Sequence, residues 1–142
     1  MSTLLNPSDL RKITDDAEMK KIKEYRDRAA KEKDHAKELH EAFMARDIHP
    51  DVKARVNNAV SHAAEQGLSE LRILVFPATY CNDGGRRINS FDPEWPVSLE
   101  GFAKKAYDYY EAELKSLGYK LNAQVLNYPN GMMGDIGMFL KW

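Results

Sequence analysis

The residues best suited to chemistry lie in one short segment, "TYCNDGGRRIN", at positions 79–89. It holds the only cysteine of the chain, an acidic residue, two adjacent glycines and two adjacent arginines. Backbone N–H groups around a glycine pair can form a nest for an anion. A neighbouring arginine can grip a carboxylate or phosphate through two parallel hydrogen bonds. The segment therefore predicts a site for an anionic ligand, with these candidate residues: Cys81, Asp83, Gly84, Gly85, Arg86 and Arg87.

The same segment is also consistent with a purely structural turn. "NDGG" has the composition of a turn, and Asp83 could pair with one of the arginines. A single cysteine after a strand is typically a small buried apolar residue. The glycine spacing matches neither a phosphate-binding loop nor a dinucleotide fingerprint. The sequence shows no general base and no group of metal ligands that would complete a catalytic mechanism, so no catalytic residue is assigned. The residues therefore favour a protein that is not an enzyme.

The histidines do not indicate a metal site. Glu32 and His35 have the i, i+3 spacing of di-iron bundles, but such sites need a matching motif on a facing helix. The second predicted helix offers only His62 and Glu65, in the reverse order. We therefore predict neither a metal nor any other cofactor.

Charge and cysteine content exclude several classes of protein. The chain has 21 basic and 22 acidic residues, so its net charge of −1 does not favour nucleic acid or an anionic membrane. A single cysteine fits a reducing compartment. We see no signal peptide and no apolar run near the roughly 20 residues that span a bilayer. These features predict a soluble, cytoplasmic protein.

The strongest pattern in the chain is a narrow apolar row on a long predicted helix. From residue 22 the apolar positions recur at alternating spacings of three and four, interrupted once by Glu32. This pattern is typical of a seam against another helix, where one polar residue often sets the register. Basic and acidic residues alternate closely elsewhere on the helix, which predicts a solvated surface. The candidate interface residues are Ile22, Tyr25, Ala29, Ala36, Leu39 and Phe43.

The order of predicted elements indicates an α+β fold. A helical hairpin with one long helix is expected over residues 1–67, and a β-α-β-β half over residues 68–142. We expect the two halves to form one structural unit. "LRILVFP" is apolar on both faces of a strand and predicts a buried strand. A crossover helix and a final hairpin then predict a three-stranded mixed sheet.

Together these patterns predict a small interaction or regulatory module that forms a dimer through its N-terminal helices, with another protein as an alternative partner. The alternative function is an anionic-ligand binder or enzyme that uses residues 81–87.

Overall fold

The computed structural model describes residues 4–142 of the 142-residue chain. These residues group into two compact units, one extending to Glu41 and the other spanning Ala42–Trp142. The predicted division at residue 67 falls inside the second unit. Helices and strands are both present, so the predicted α+β class is confirmed at this level. Within residues 4–142, no helix is long and apolar enough to cross a membrane.

The first helix, α1, is the longest element of the chain. It spans Pro7–Ala45, which is 39 residues and about 58 Å at 1.5 Å per residue. Asn6 caps its N-terminus, because the Asn6 Oδ1 accepts the Asp9 backbone N–H at 2.9 Å. α1 continues without a break through Thr14, whose hydroxyl donates to the Leu10 carbonyl. No residue of α1 is buried.

The second helix, α2, spans Val52–Glu65. Gly67 has a φ of +82°, and the Leu68 backbone N–H donates to the Ala63 carbonyl at 3.0 Å. This left-handed ending supplies donors to the last helical carbonyl groups. Val60 and Ala63 are the buried residues of α2, so the helix contributes one apolar face to the core of the second unit.

Three strands form the sheet: β1 at Glu70–Pro77, β2 at Lys120–Val125 and β3 at Asp135–Lys141. Their order is β1-β3-β2, and β3 is antiparallel to both neighbours. The predicted mixed sheet is therefore wrong. β1 and β2 run in the same direction, but β3 returns from its hairpin with β2 into the gap between them. No two adjacent strands are parallel.

The residues of β3 explain why it is the central strand. Ile136, Met138 and Leu140 are at most 1% exposed and form the middle of the core. On the opposite face, Gly137 lies under Leu126, whose methyl carbons would be 3.0 and 3.1 Å from an added Cβ. β3 is thus covered on both faces at Gly137, which is consistent with its central position in the sheet.

The prediction that β1 is buried on both faces is also wrong. β1 lies at the sheet edge, and its register shifts between Arg72 and Leu74. Ile73 and Val75 are 38% and 43% exposed. Apolar residues on both faces of a strand occur in buried central strands and also in edge strands whose outer face is exposed. The pattern alone therefore does not distinguish a central strand from an edge strand.

Two shorter helices complete the second unit. α3 spans Arg86–Asn89, and α4 spans Gly101–Tyr109. The chain continues from α4 through a π-helical turn, Tyr110–Leu114, and a 3₁₀ turn, Lys115–Leu117. Tyr110 and Leu114 pack with Val60 and Leu140, which joins α2 to the central strand.

Candidate functional site

Asp83 organises the segment that the sequence singles out. Its Oδ1 accepts the Gly85 backbone N–H at 2.9 Å, and its Oδ2 accepts the Arg87 backbone N–H at 3.0 Å. Both oxygens of the carboxylate therefore satisfy donors at the start of α3, as a helix-capping residue does. A ligand anion would have to share these N–H groups with a negative charge that is already in place.

Further hydrogen bonds hold the same segment against its surroundings. The Asn82 side chain donates to the Val97 carbonyl, and the Asn82 backbone N–H donates to the Ser98 carbonyl, both at 2.9 Å. Before it, the Ala78 backbone N–H donates to the Gly134 carbonyl at 2.8 Å. The segment is thus attached to two other parts of the second unit, and its conformation has a structural explanation that needs no ligand.

Glycine is required at positions 84 and 85 for different reasons. Both have positive φ, +69° at Gly84 and +90° at Gly85. An added Cβ at Gly84 would meet no atom within 4 Å. At Gly85 it would lie 3.1 Å from the Ala78 Cβ and 3.2 Å from the Ile136 Cδ1. Gly85 is therefore needed for packing against the central strand as well as for its backbone conformation.

Cys81 is a core residue. It is 6% exposed and lies in the apolar cluster that contains Ile136 and Met138. Burial raises the pKa of its thiol to about 11, although the Ser98 side chain acts in the opposite direction. The acidic side chains of Asp83 and Glu100 also oppose ionisation. The reactive thiolate is therefore scarce at neutral pH, and Cys81 is poorly suited to be a nucleophile.

The two arginines have different environments on α3. The Arg86 residue is exposed, whereas Arg87 is half-buried. Among residues 4–142, neither guanidinium lies within 4.0 Å of a carboxylate. Two cationic groups next to a capped turn could still attract an anion, so a ligand-binding role for the six residues remains a prediction.

The predicted interface residues fall into two groups. Ile22, Tyr25 and Leu39 are 47%, 73% and 53% exposed, and the alanines between them are exposed too. Phe43 differs, because it belongs to the second unit. Its ring lies 5.5 Å from that of Phe76, and it also contacts the rings of Tyr80 and Phe102. The exposed part of the row therefore ends at Leu39.

A cleft of about 380 Å³ beside the π-helical turn was not predicted from the sequence. π-Helical turns are frequent at functional sites, although the periodicity of the sequence does not reveal them. Lys53 and Asn57 of α2 line the cleft together with Tyr109 and Glu113. Burial and the Glu113 carboxylate raise the pKa of Tyr109. Leu117 in the lining is 72% exposed, so the cleft is open to water and a bound molecule would remain partly hydrated.

No family model, curated protein or solved structure matches this chain significantly. In the described part of the chain, no group of three or more His, Cys, Asp or Glu side chains is placed to hold a metal ion.

We predict that Gly85→Ala destabilises the protein more than Gly84→Ala does. A left-handed backbone costs an alanine about 1–2 kcal/mol at either position. At Gly85 the crowding against Ala78 and Ile136 should add about 1–3 kcal/mol. Urea unfolding of both variants measures the difference. Equal losses of unfolding free energy would show that the packing against β3 does not matter.

We predict that Cys81 in the folded protein reacts slowly with iodoacetamide at about pH 8. The rise in its pKa from 9.0 to about 11 lowers the thiolate fraction about a hundredfold, and burial limits access further. The urea-unfolded chain is the control and should react at least about a hundred times faster. Similar rates in the two states would contradict the buried placement.

The protonated thiol's contribution to stability should be intact below pH 9.0 and be lost as the pH rises towards 11.

Proposed function

We propose that this chain is an interaction module whose helix α1 binds a partner helix along residues 22–39. One observation carries the proposal: α1 has 39 residues and none of them is buried, although an apolar row runs along it. Long helices in water gain most of their stability by packing an apolar face against another surface. The exposed side chains of Ile22, Tyr25 and Leu39 would supply such a face.

The spacing of the row favours a helix as the partner. Six positions from Ile22 to Leu39 alternate by three and four residues, which is the repeat that two supercoiled helices share. The alanines at positions 29 and 36 would let the two backbones come close. A flat surface would be better matched by a broader apolar face than by this narrow row.

Three arrangements would bury the row, and they are distinguishable. The sequence predicts a second copy of the chain, which would give a dimer. It also predicts a hairpin of α1 with α2, in which the partner helix belongs to the same chain. A helix of another protein is the third arrangement.

Site-specific photo-crosslinking tests the proposal without knowledge of the partner. Benzoylphenylalanine at Ala29 would lie on the row, whereas at Ala30 it would lie about 100° away around the helix. We expect a discrete crosslinked product in expressing cells from position 29 and little from position 30, because only the first faces the partner. The two positions are adjacent alanines, so each is the matched control for the other.

The mass of the product identifies the arrangement. Purified chain crosslinked to twice 16.2 kDa would indicate a second copy. A crosslink from position 29 to α2 without an increase in mass would indicate the hairpin. A larger product that forms only in cells would indicate another protein. Equal yields from positions 29 and 30, or no product from either, would refute the docking function.

A further inference from the structure

Basic and acidic residues lie on different faces of α1, and this separation affects which partner the apolar row can bind. Because α1 is one uninterrupted helix, residues 22–39 can be assigned heptad positions, with Ile22 at a and Tyr25 at d. The positions on either side of the row are then e and g, and the remaining three lie on the opposite side of the helix.

All six flanking positions within residues 21–41 carry basic or histidine side chains. They are Lys21, Arg26, Arg28, Lys33, His35 and His40. None of the six acidic residues in this stretch lies at a flanking position. Five of them are on the opposite side, and one, Glu32, is in the row itself. The five acidic residues on the opposite side are Glu24, Asp27, Asp34, Glu38 and Glu41.

The four lysines and arginines on the flanks are available to a partner. Each is exposed to solvent. Among residues 4–142, none of the four lies within 4.0 Å of a carboxylate. The ion pair on this part of α1 joins Lys37 to Glu41 on the opposite side of the helix. The flanks therefore offer unpaired positive charge on both sides of an exposed apolar row.

A second copy of α1 would be opposed by these charges in either orientation. In a parallel pair, g faces e of the other helix, so Lys21 would meet Arg26 and Arg28 would meet Lys33. In an antiparallel pair, e faces e and g faces g, and the facing groups would again be basic. Like charges at these positions disfavour pairing, and opposite charges select the partner.

We propose that α1 binds an amphipathic helix of another protein whose flanking positions are acidic. The partner would carry a lysine or arginine opposite Glu32, because a carboxylate in an apolar seam needs a basic or hydrogen-bonding group beside it. This assignment rests on the docking function proposed above and names the chemistry of the partner. The predicted dimer becomes the competing outcome.

Glu32 also argues for a helix rather than a phosphate-rich surface. A carboxylate in the middle of the row would be repelled by nucleic-acid phosphates and by anionic lipid headgroups, and it would resist insertion among acyl chains. A protein helix can place one basic side chain against it. The observations therefore favour a protein partner over RNA or a membrane.

Two designed peptides test the proposal with the full-length chain. Both have about four heptads with leucine at a and d and one lysine in the central core. One carries glutamate at every e and g position, and the other carries lysine there. We expect the glutamate peptide to bind at least about tenfold more tightly, a difference of about 1.4 kcal/mol shared among the flanking pairs. Fluorescence anisotropy with labelled peptides measures both affinities.

Salt and charge reversal supply the second readout. The preference should shrink between about 50 mM and about 0.5 M salt, because exposed ion pairs are screened. Arg26→Glu/Arg28→Glu/Lys33→Glu should invert the preference. The matched control is Lys23→Glu/Lys31→Glu/Lys37→Glu, which makes the same change in net charge on the opposite side and should keep the wild-type preference. Circular dichroism confirms that both variants retain their helix.

Four results would overturn the proposal. Two concern the peptides: equal binding of both, or binding of neither. The others are a dimer that forms at micromolar concentration in sedimentation equilibrium, and tighter binding to poly(U) RNA or phosphatidylserine vesicles than to the glutamate peptide. The crosslinking contrast between positions 29 and 30 distinguishes failure of the docking function from failure of the proposed partner chemistry. If that contrast holds while any of these results is found, α1 is a docking helix and only the chemistry of its partner is wrong.

Discussion

The pairing of β3 with both other strands is the constraint on which the second unit depends. Ile136, Met138 and Leu140 of this strand are almost wholly buried, and the other elements of the unit pack around them. The Asp83 carboxylate holds its turn through the Gly85 and Arg87 backbone N–H groups, and Gly85 packs against Ala78 and Ile136. The buried central strand thus supports both the sheet and the loop that first suggested a ligand site.

The local elements could be predicted from the sequence, whereas the sheet order could not. Asn6 and Gly67 mark the ends of two helices, because capping depends only on neighbouring residues. The order β1-β3-β2 depends on pairing between distant segments, and the apolar pattern of β1 fits a central or an edge strand equally well. The periodicity of the sequence also does not encode the π-helical turn after Tyr109.

The candidate sites show the same division between local and distant information. The sequence correctly brings Asp83 and the two glycines into one turn, but it does not show that both carboxylate oxygens are already used by backbone N–H groups. Phe43 continues the apolar row by spacing, yet it packs against Phe76 in the second unit. The basic flanks of the row were readable from the sequence once one continuous helix was established, since heptad positions follow from spacing alone.

Hydrogen exchange on the full-length chain tests the central claim most directly. If α1 is a docking helix that awaits an acidic partner, backbone amides of residues 21–41 should exchange much faster than those of β3 in the dilute, pure protein. The glutamate peptide should then slow exchange in this stretch, and the lysine peptide should not. If residues 21–41 are already as protected as β3 without a partner, or if the glutamate peptide leaves their exchange unchanged, the account of α1 is contradicted.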